Sequence, residues 1–163
     1  MDQNWTINDT PMSLRPATEE DLNAVLKIEA QSYPTPWTRE QFKEEMQKPF
    51  ANFLVLTDDE TDSTVAGYVI YWIMFDEAHI LNVTSALDWR GLGIGTRLVR
   101  HVISHALKKE VKKVFLEVRK SNSAAVALYQ KVGFFIYHVK KSFYSDGEDA
   151  YFMQLFLEKQ NDF

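Results

Sequence analysis

The sequence predicts a mixed α/β fold, with a central mixed, mostly antiparallel sheet of about seven strands and helices on both of its faces. Two observations carry this prediction. Short alternating apolar runs fill the middle and the end of the chain, and longer segments with apolar residues at helical spacing separate them. The predicted element order is βααβββαβαββ, and a more generous count adds one strand in the middle.

Length and composition indicate one soluble domain spanning residues 1–163, in which residues 1–11 form a flexible N-terminal extension. The chain has 163 residues, 45% hydrophobic and 25% charged, which is ordinary for a globular protein. It contains no cysteine, so disulfides, thiolate metal sites and a covalent acyl-cysteine intermediate are excluded.

The N-terminus, the hydropathy and the net charge limit the kinds of partner that we expect. The N-terminus lacks a basic start followed by an apolar run, and no stretch is long and apolar enough to span a bilayer. We therefore expect a cytoplasmic protein with no membrane partner. Its oligomeric state is left open, with a monomer favoured. The net charge of -5 argues against nucleic-acid binding and suits a basic peptide.

The first elements are a short strand and two helices. The strand is "MSLRPA", and the first helix, "TEEDLNAVLKIEAQSY", opens with a box-like pattern of Thr18 and Asp21. The second helix, "TPWTREQFKEEM", has Thr38 as its cap and Gln41 three residues further on. These patterns indicate helix starts.

The middle and the end of the chain are rich in strands. The strand segments "NFLVLT", "TVAGYVIYWIMF" and "AHILNVTSAL" come first, with a tight hairpin at Asp76 and Glu77. A long helix follows, then a strand over Lys113–Val118 and a short helix over Ser123–Val132. The strands "FFIYHVK" and "AYFMQLFLEK" close the chain across "SDGED".

The long helix begins with an unusual glycine content. The stretch "DWRGLGIGTRLVRHVISHALKK" places Gly91, Gly93 and Gly95 at its start. Glycine permits close backbone approach, and a helix N-terminus offers free N–H groups to phosphate. Neither a P-loop nor a dinucleotide fingerprint fits this spacing. On pattern alone, a glycine turn that only caps the helix is equally good.

A second block further along changes that balance. "DWRGLGIGTRLV" is followed by "FLEVRKSNSAAVALYQKVGF", in which six residues fit an N-x-x-A-x-x-L-Y-x-x-x-G-F pattern. The pair of blocks resembles the GNAT superfamily of acetyl-CoA-dependent N-acetyltransferases. This resemblance implies the GNAT fold, with the coenzyme A pyrophosphate held by the first block.

A closer resemblance extends over nearly the whole chain. Together with those blocks, "PWTREQF", "DEAHILNV" and "FYSDGEDAYFM" are similar to the ribosomal-protein-alanine N-acetyltransferase family, RimI, which acetylates the N-terminal α-amine of a small-subunit ribosomal protein. It implies Glu117 and Tyr129 as catalytic residues, and Tyr33, Trp37 and Tyr144 as peptide contacts. For Tyr33 and Trp37, which flank the prolines between the first two helices, simple anchoring of the loop is an equally good interpretation. The implied acetyl-CoA contacts are Val83, Thr84, Ser85, Arg90, Gly91, Leu92, Gly93, Ile94, Gly95, Thr96 and Asn122.

Two departures from that family are local. The chain has Ser85, Ala86 and Leu87 where members commonly have V-x-P, and Phe143 with Tyr144 where they have paired tyrosines. The second change removes a hydroxyl near the implied peptide site. The peptide preference is therefore less well specified than the chemistry.

The residues themselves support acyl transfer without metal. An α-ammonium must lose a proton before it attacks a thioester, and Glu117 can accept that proton directly or through water. A strand N–H within Val83–Ser85 can stabilise the oxyanion, and the Tyr129 hydroxyl can protonate the leaving thiolate. The simpler alternatives are an ion pair of Glu117 with Arg119 or an outward edge position, and core packing of Tyr129.

The roles of three histidines and the choice among three functions are left open by the sequence. His79 either lines the amine entrance or is an exposed hairpin residue, and His101 with His105 have i, i+4 spacing but no third metal ligand. The leading function is protein N-terminal acetylation. Acetylation of a lysine side chain or small-molecule amine comes second. A non-catalytic coenzyme A-binding module is disfavoured because both Glu117 and Tyr129 are present.

Overall fold

The computed structural model describes residues 3–61 and 64–158 of the chain. The described elements follow the order ββααβββαβαββ. The strands are β1 (Gln3–Ile7), β2 (Thr10–Pro16), β3 (Ala51–Asp58), β4 (Val65–Met74), β5 (Glu77–Ser85), β6 (Lys113–Arg119), β7 (Phe135–Lys140) and β8 (Ala150–Phe156). The helices are α1 (Leu22–Ser32), α2 (Arg39–Gln47), α3 (Ile94–Lys108) and α4 (Ser123–Val132).

The strands form one eight-stranded sheet in the order β1-β2-β3-β4-β5-β6-β8-β7. Among the described strands, β5 and β6 are parallel and every other neighbouring pair is antiparallel. The parallel pair needs a crossover, which α3 supplies. The predicted mixed, mostly antiparallel sheet is therefore confirmed, with one strand more than expected.

The additional strand lies in the segment that we expected to be a flexible extension. Within residues 1–11, residues 3–7 form β1, which pairs with β2 in a hairpin; Met1 and Asp2 lie outside the described residues. Asn8 and Asp9 make the turn with φ of 50° and 63°. Two consecutive residues at positive φ suit a tight two-residue hairpin, and Asn and Asp tolerate that conformation. The expectation was wrong because it missed this turn.

Helices cover both faces of the sheet, as predicted. Leu98, Val99 and Val102 of α3 belong to the larger apolar core on one face. On the opposite face, Val25 of α1 and Phe42 of α2 are fully buried in a second core. The sheet thus separates two apolar layers, and each layer takes its helices from a different part of the chain.

Most of the predicted helix starts are confirmed. Thr38 accepts from the Gln41 N–H, and the Gln41 side chain accepts from the Thr38 N–H at 2.8 Å. At α1, a short 3₁₀ turn precedes the helix, and the Asp21 carboxylate accepts from the Thr18 N–H at 2.8 Å. No helix in the described ranges is long and apolar enough to cross a membrane.

Candidate functional site

The site lies where β5 and β6 separate. Their pairing covers only four residues of each strand, from Glu77 to Ile80 and from Lys113 to Leu116. Beyond that point the two strands diverge, and both carboxyl ends open toward the same edge of the sheet. A bulge at Leu81 coincides with the point of divergence, where the register of β5 against β4 shifts by one residue.

The gap exposes backbone groups of β5. The Ala86 N–H, just after β5, donates to the Ala66 carbonyl of β4 at 2.8 Å. Because N–H and C=O groups of a strand alternate between its two sides, those of Thr84 also point to β4, whereas those of Val83 and Ser85 point into the gap. Consistently, the Tyr33 hydroxyl donates to the Val83 carbonyl at 3.1 Å.

A first cavity of about 340 Å³ lies on the α3 side of the gap. It is lined by ten of the eleven residues predicted to contact acetyl-CoA, and the eleventh, Leu92, is 40% exposed and lies outside it. The structure thus brings the glycine-rich stretch, the end of β5 and Asn122, the cap of α4, to one surface.

The start of α3 has the geometry of an anion site. Gly93 precedes the helix with φ of 79°, and no side chain in the described part of the chain caps the free N–H groups. The first turn also contains no acidic residue. A phosphate near these N–H groups would meet the positive end of a 15-residue helix dipole.

A second cavity of about 350 Å³ opens on the α1–α2 side of the gap. It is lined by all five residues predicted to be catalytic or peptide-binding, Tyr33, Trp37, Glu117, Tyr129 and Tyr144. Both cavities share Tyr33, Val83 and Tyr129, so they meet at these residues. A donor entering from one side and an acceptor from the other would therefore come together beside Tyr129.

Glu117 lies in the middle of β6 and faces the second cavity with 24% of its side chain exposed. Its Oε2 is 2.7 Å from Nε2 of His79. The alternative ion pair with Arg119 is not formed, because Arg119 instead contacts Asp146 at 2.8 Å. The prediction that His79 is an exposed hairpin residue is also wrong, since its side chain is 18% exposed, and His79 does not line the second cavity either.

Tyr129 is buried where the cavities meet. Burial raises the pKa of its hydroxyl, so the group carries its proton at neutral pH. Its ring packs edge-on against Phe134 at 5.7 Å. Among the described residues its hydroxyl has no hydrogen-bond partner, and the hydroxyl is thus available to a molecule in the cavity.

The Tyr33 side chain ties the α1–α2 loop to β5. Its hydroxyl lies 2.7 Å from the Thr84 hydroxyl, in addition to its bond to Val83. Burial, with a smaller contribution from the nearby Glu29 carboxylate, raises the pKa of Tyr33 to about 12. Tyr33 therefore anchors the loop, and its contact with a peptide stays a prediction, in keeping with its place in the wall of the second cavity.

Sequence reasoning missed Glu29, which is 1% exposed and also lines the second cavity. Its carboxylate accepts from the Tyr68 hydroxyl at 2.5 Å and from the Asn82 amide at 3.0 and 3.1 Å. Burial raises its pKa, and these hydrogen bonds oppose the rise. The signal was present: Glu29 stands on the i, i+3, i+7 stripe of Leu22 and Val25 that faces the core.

Arg119 joins the two loops that border the second cavity. Its guanidinium donates to Thr35 of the α1–α2 loop at 2.9 Å and to Asp146 of the β7–β8 loop at 2.8 Å. It also lies 4.1 Å above the ring of Tyr144. Burial raises the pKa of Tyr144 to about 12, with Arg119 lowering it in opposition.

The other histidines lie away from this site. His101 and His105 of α3 are both half-buried, and His105 Nδ1 is 2.7 Å from the Tyr71 hydroxyl on β4. Burial lowers the pKa of both imidazoles. Within residues 3–61 and 64–158, no three His, Cys, Asp or Glu side chains are grouped so that they could hold a metal ion.

Comparisons with known proteins agree with this geometry. Residues 22–134 match the Acetyltransferase (GNAT) family. A candidate ribosomal protein bS18-alanine N-acetyltransferase of Bacillus subtilis is 37% identical over 146 residues, covering 88% of this chain and 95% of that protein. The ribosomal protein bS18-alanine N-acetyltransferase of Escherichia coli K12 is 33% identical over 138 residues, covering 83% and 90%.

The fold comparison gives the same result. The crystal structure of the ribosomal-protein-S18-alanine N-acetyltransferase from Escherichia coli superposes with a TM-score of 0.80 at 30% identity, covering 93% of this chain and 99% of that one. The resemblance inferred from the motifs is therefore confirmed. The chain belongs to the GNAT family of acetyltransferases, which use acetyl-CoA.

Proposed function

We propose that this chain transfers the acetyl group of acetyl-CoA to the N-terminal α-amine of a protein. The names of its relatives point to a small-subunit ribosomal protein with N-terminal alanine as the acceptor. The observation that carries the proposal is the meeting of two cavities beside Glu117 and Tyr129. We further propose that the chain works as a single domain in the cytoplasm.

The first cavity fits the donor. Acetyl-CoA supplies a thioester whose carbonyl carbon is open to attack by an amine. The N–H groups from Gly91 to Thr96 and the N-terminus of α3 are suited to its pyrophosphate, since they offer donors and a positive dipole end. Asn122 caps α4 by accepting from the Ala125 N–H, which fixes its position at the cavity wall.

The second cavity fits the acceptor. Glu117 accepts a proton from the ammonium group, directly or through a water molecule, which leaves the nitrogen lone pair free to attack. The Val83 N–H, which points into the gap, is placed to donate to the oxyanion that forms on the carbonyl. A carboxylate on one wall thus takes up the proton that the ammonium group loses. A backbone N–H on the other wall stabilises the negative charge that forms on the carbonyl oxygen.

Tyr129 serves the leaving group. Its hydroxyl donates its proton to the sulfur as the C–S bond breaks, and the second proton that the attacking nitrogen loses when the amide forms restores the hydroxyl. Because burial raises the pKa of Tyr129, complete proton transfer before bond cleavage would be uphill, and we infer that the two events are coupled. Transfer is direct from donor to acceptor, since the chain has no cysteine to carry the acetyl group.

An α-amine suits this site better than a lysine side chain. An α-amine has a pKa of about 7.7 to 8.0, compared with about 10.4 for lysine, so it needs less help to lose its proton near neutrality. A carboxylate such as Glu117 is a modest base and is matched to the easier task. Acetylation of a lysine side chain or of a small-molecule amine remains the second candidate, because the same fold and donor would serve it.

Two peptides with the same basic sequence test the proposal. One has a free N-terminus and no lysine, and the other has a blocked N-terminus and one lysine. We expect faster acetylation of the first peptide, measured by mass spectrometry with acetyl-CoA. Faster acetylation of the blocked peptide would contradict the proposal and favour the lysine alternative.

A further inference from the structure

His79 makes a contact for which the reaction described above has no use. It lies on β5, opposite β6, and its Nε2 is 2.7 Å from Oε2 of Glu117. The ring does not line the second cavity, in which the acceptor would bind. It lines a separate cavity of about 310 Å³, together with Trp72, Phe75 and Phe115 among others. His79 therefore reaches Glu117 from behind, from outside the space that the acceptor would occupy.

The ring of His79 is held in a fixed orientation. It stacks on Phe115 of β6, its register partner, with centroids 4.3 Å apart and planes inclined by 17°. Trp72 of β4 meets it edge-on, with centroids 5.7 Å apart and planes at 89°. Three neighbouring strands thus define the direction in which Nε2 points, and that direction is toward Glu117.

We propose that His79 is a positioning residue for Glu117 in the acetyl transfer, an inference that rests on the proposed function. An ionised carboxylate only accepts hydrogen bonds, so the imidazole has its hydrogen on Nε2. The Nε2–H group donates a hydrogen bond to Oε2. This bond restricts rotation of the carboxylate and leaves Oε1 for the ammonium proton or for a water molecule. The base is thereby presented in one orientation when the acceptor arrives, which favours proton removal.

Three variants separate positioning from simple packing. His79→Phe keeps an aromatic ring on Phe115 but removes the donor, and we expect kcat to fall roughly tenfold while the Kd for acetyl-CoA is unchanged. His79→Gln supplies an amide donor and is expected to recover kcat to within about threefold of the wild type. Combined with Glu117→Gln, His79→Phe should cause no further loss, because both act through one group.

A matched control and two contrary outcomes complete the test. Met74 lines the same cavity and is 41% exposed, so Met74→Gln should leave kcat unchanged. Wild-type kcat in His79→Phe, or losses that multiply in the double variant, would overturn the inference. The kcat values are measured with whichever amine the wild type acetylates, so a lysine-acetylating enzyme would contradict the proposed function without deciding the role of His79.

Discussion

On the donor side of the β5–β6 gap, backbone from one short stretch of chain forms much of the wall, whereas the acceptor side is assembled from charged and aromatic side chains of separate elements. The first cavity, which would take the donor, is lined by all three glycines of the stretch from Gly91 to Gly95 and by the start of α3. The acceptor cavity draws Glu29 from α1, Glu117 from β6 and Tyr144 from the β7–β8 loop.

The difference has a physical cause. A pyrophosphate is recognised well by N–H groups, which every residue except proline carries, so the donor side depends on backbone shape more than on side-chain identity. Removing a proton from an amine requires a particular base in a particular place. Changes of backbone shape should therefore damage donor binding, and changes of side chain on the acceptor side should damage turnover.

The largest expected effect is on the acceptor side. Glu117→Gln keeps the shape of the side chain but removes the base, so kcat should fall by ~10²- to 10⁴-fold. Tyr129→Phe should lower kcat in the same way by removing the proton donor. Calorimetry should find the Kd for acetyl-CoA nearly unchanged in both. Wild-type turnover across the pH range in either variant would make that residue structural only.

The second effect is on the donor side. Gly93 has φ of 79°, which a β-branched residue adopts at a cost of roughly 1–2 kcal/mol, so Gly93→Val should distort the start of α3. We expect the Kd for acetyl-CoA to rise about tenfold, converted at 1.4 kcal/mol per tenfold. Arg90→Ala is the control, with a much smaller expected change. Equal calorimetric affinities for the wild type and the valine variant would refute a backbone-built donor site.

A smaller effect should follow from separating the two loops that border the second cavity, the α1–α2 loop and the β7–β8 loop. Arg119→Ala removes the contacts to Thr35 and Asp146, so the peptide has to order both loops when it binds. The KM for the peptide should rise roughly fivefold, since partly exposed ion pairs contribute little. The Kd for acetyl-CoA should stay the same. Lys120→Ala removes a cation from the exposed neighbouring position and should leave both values unchanged.

The smallest effect concerns stability. Burial raises the pKa of Glu29 above its ordinary value of 4.5. Between pH 4.5 and this raised pKa, the folded protein therefore binds more protons than the unfolded chain. The stabilisation from Glu29 is thus greatest below pH 4.5 and declines as pH rises toward the folded pKa. The Tm of the wild type minus that of Glu29→Gln should therefore fall with rising pH and then level off.

The matched control for that measurement is Glu44→Gln, an exposed position on α2 that reports the loss of one negative charge alone. A Tm difference between the wild type and Glu29→Gln that increases with pH would contradict the raised pKa. Thermal melts over a pH series, each with both variants and the wild type, give the comparison directly.

The sequence alone was sufficient to predict the structural features that depend on a local pattern of residues. Helix and strand periodicity predicted seven of the eight strands and all four long helices, and the Thr38 and Gln41 pair marked the start of α2. The glycine-rich stretch and the N-x-x-A-x-x-L-Y pattern indicated the family, because each is a contiguous segment whose residues act together. The missed strand β1 also had a local signal, the Asn8 and Asp9 turn.

Only the tertiary structure decided how distant residues meet. Glu29 and Asn82 are 53 positions apart and His79 and Glu117 are 38 apart, yet each pair is joined by a hydrogen bond. Arg119 was a plausible partner for Glu117 two positions away on the same face of β6, but Asp146 and Thr35 occupy its guanidinium instead. Such contacts depend on strand register, on the divergence of β5 from β6 and on loop paths, which no local periodicity encodes.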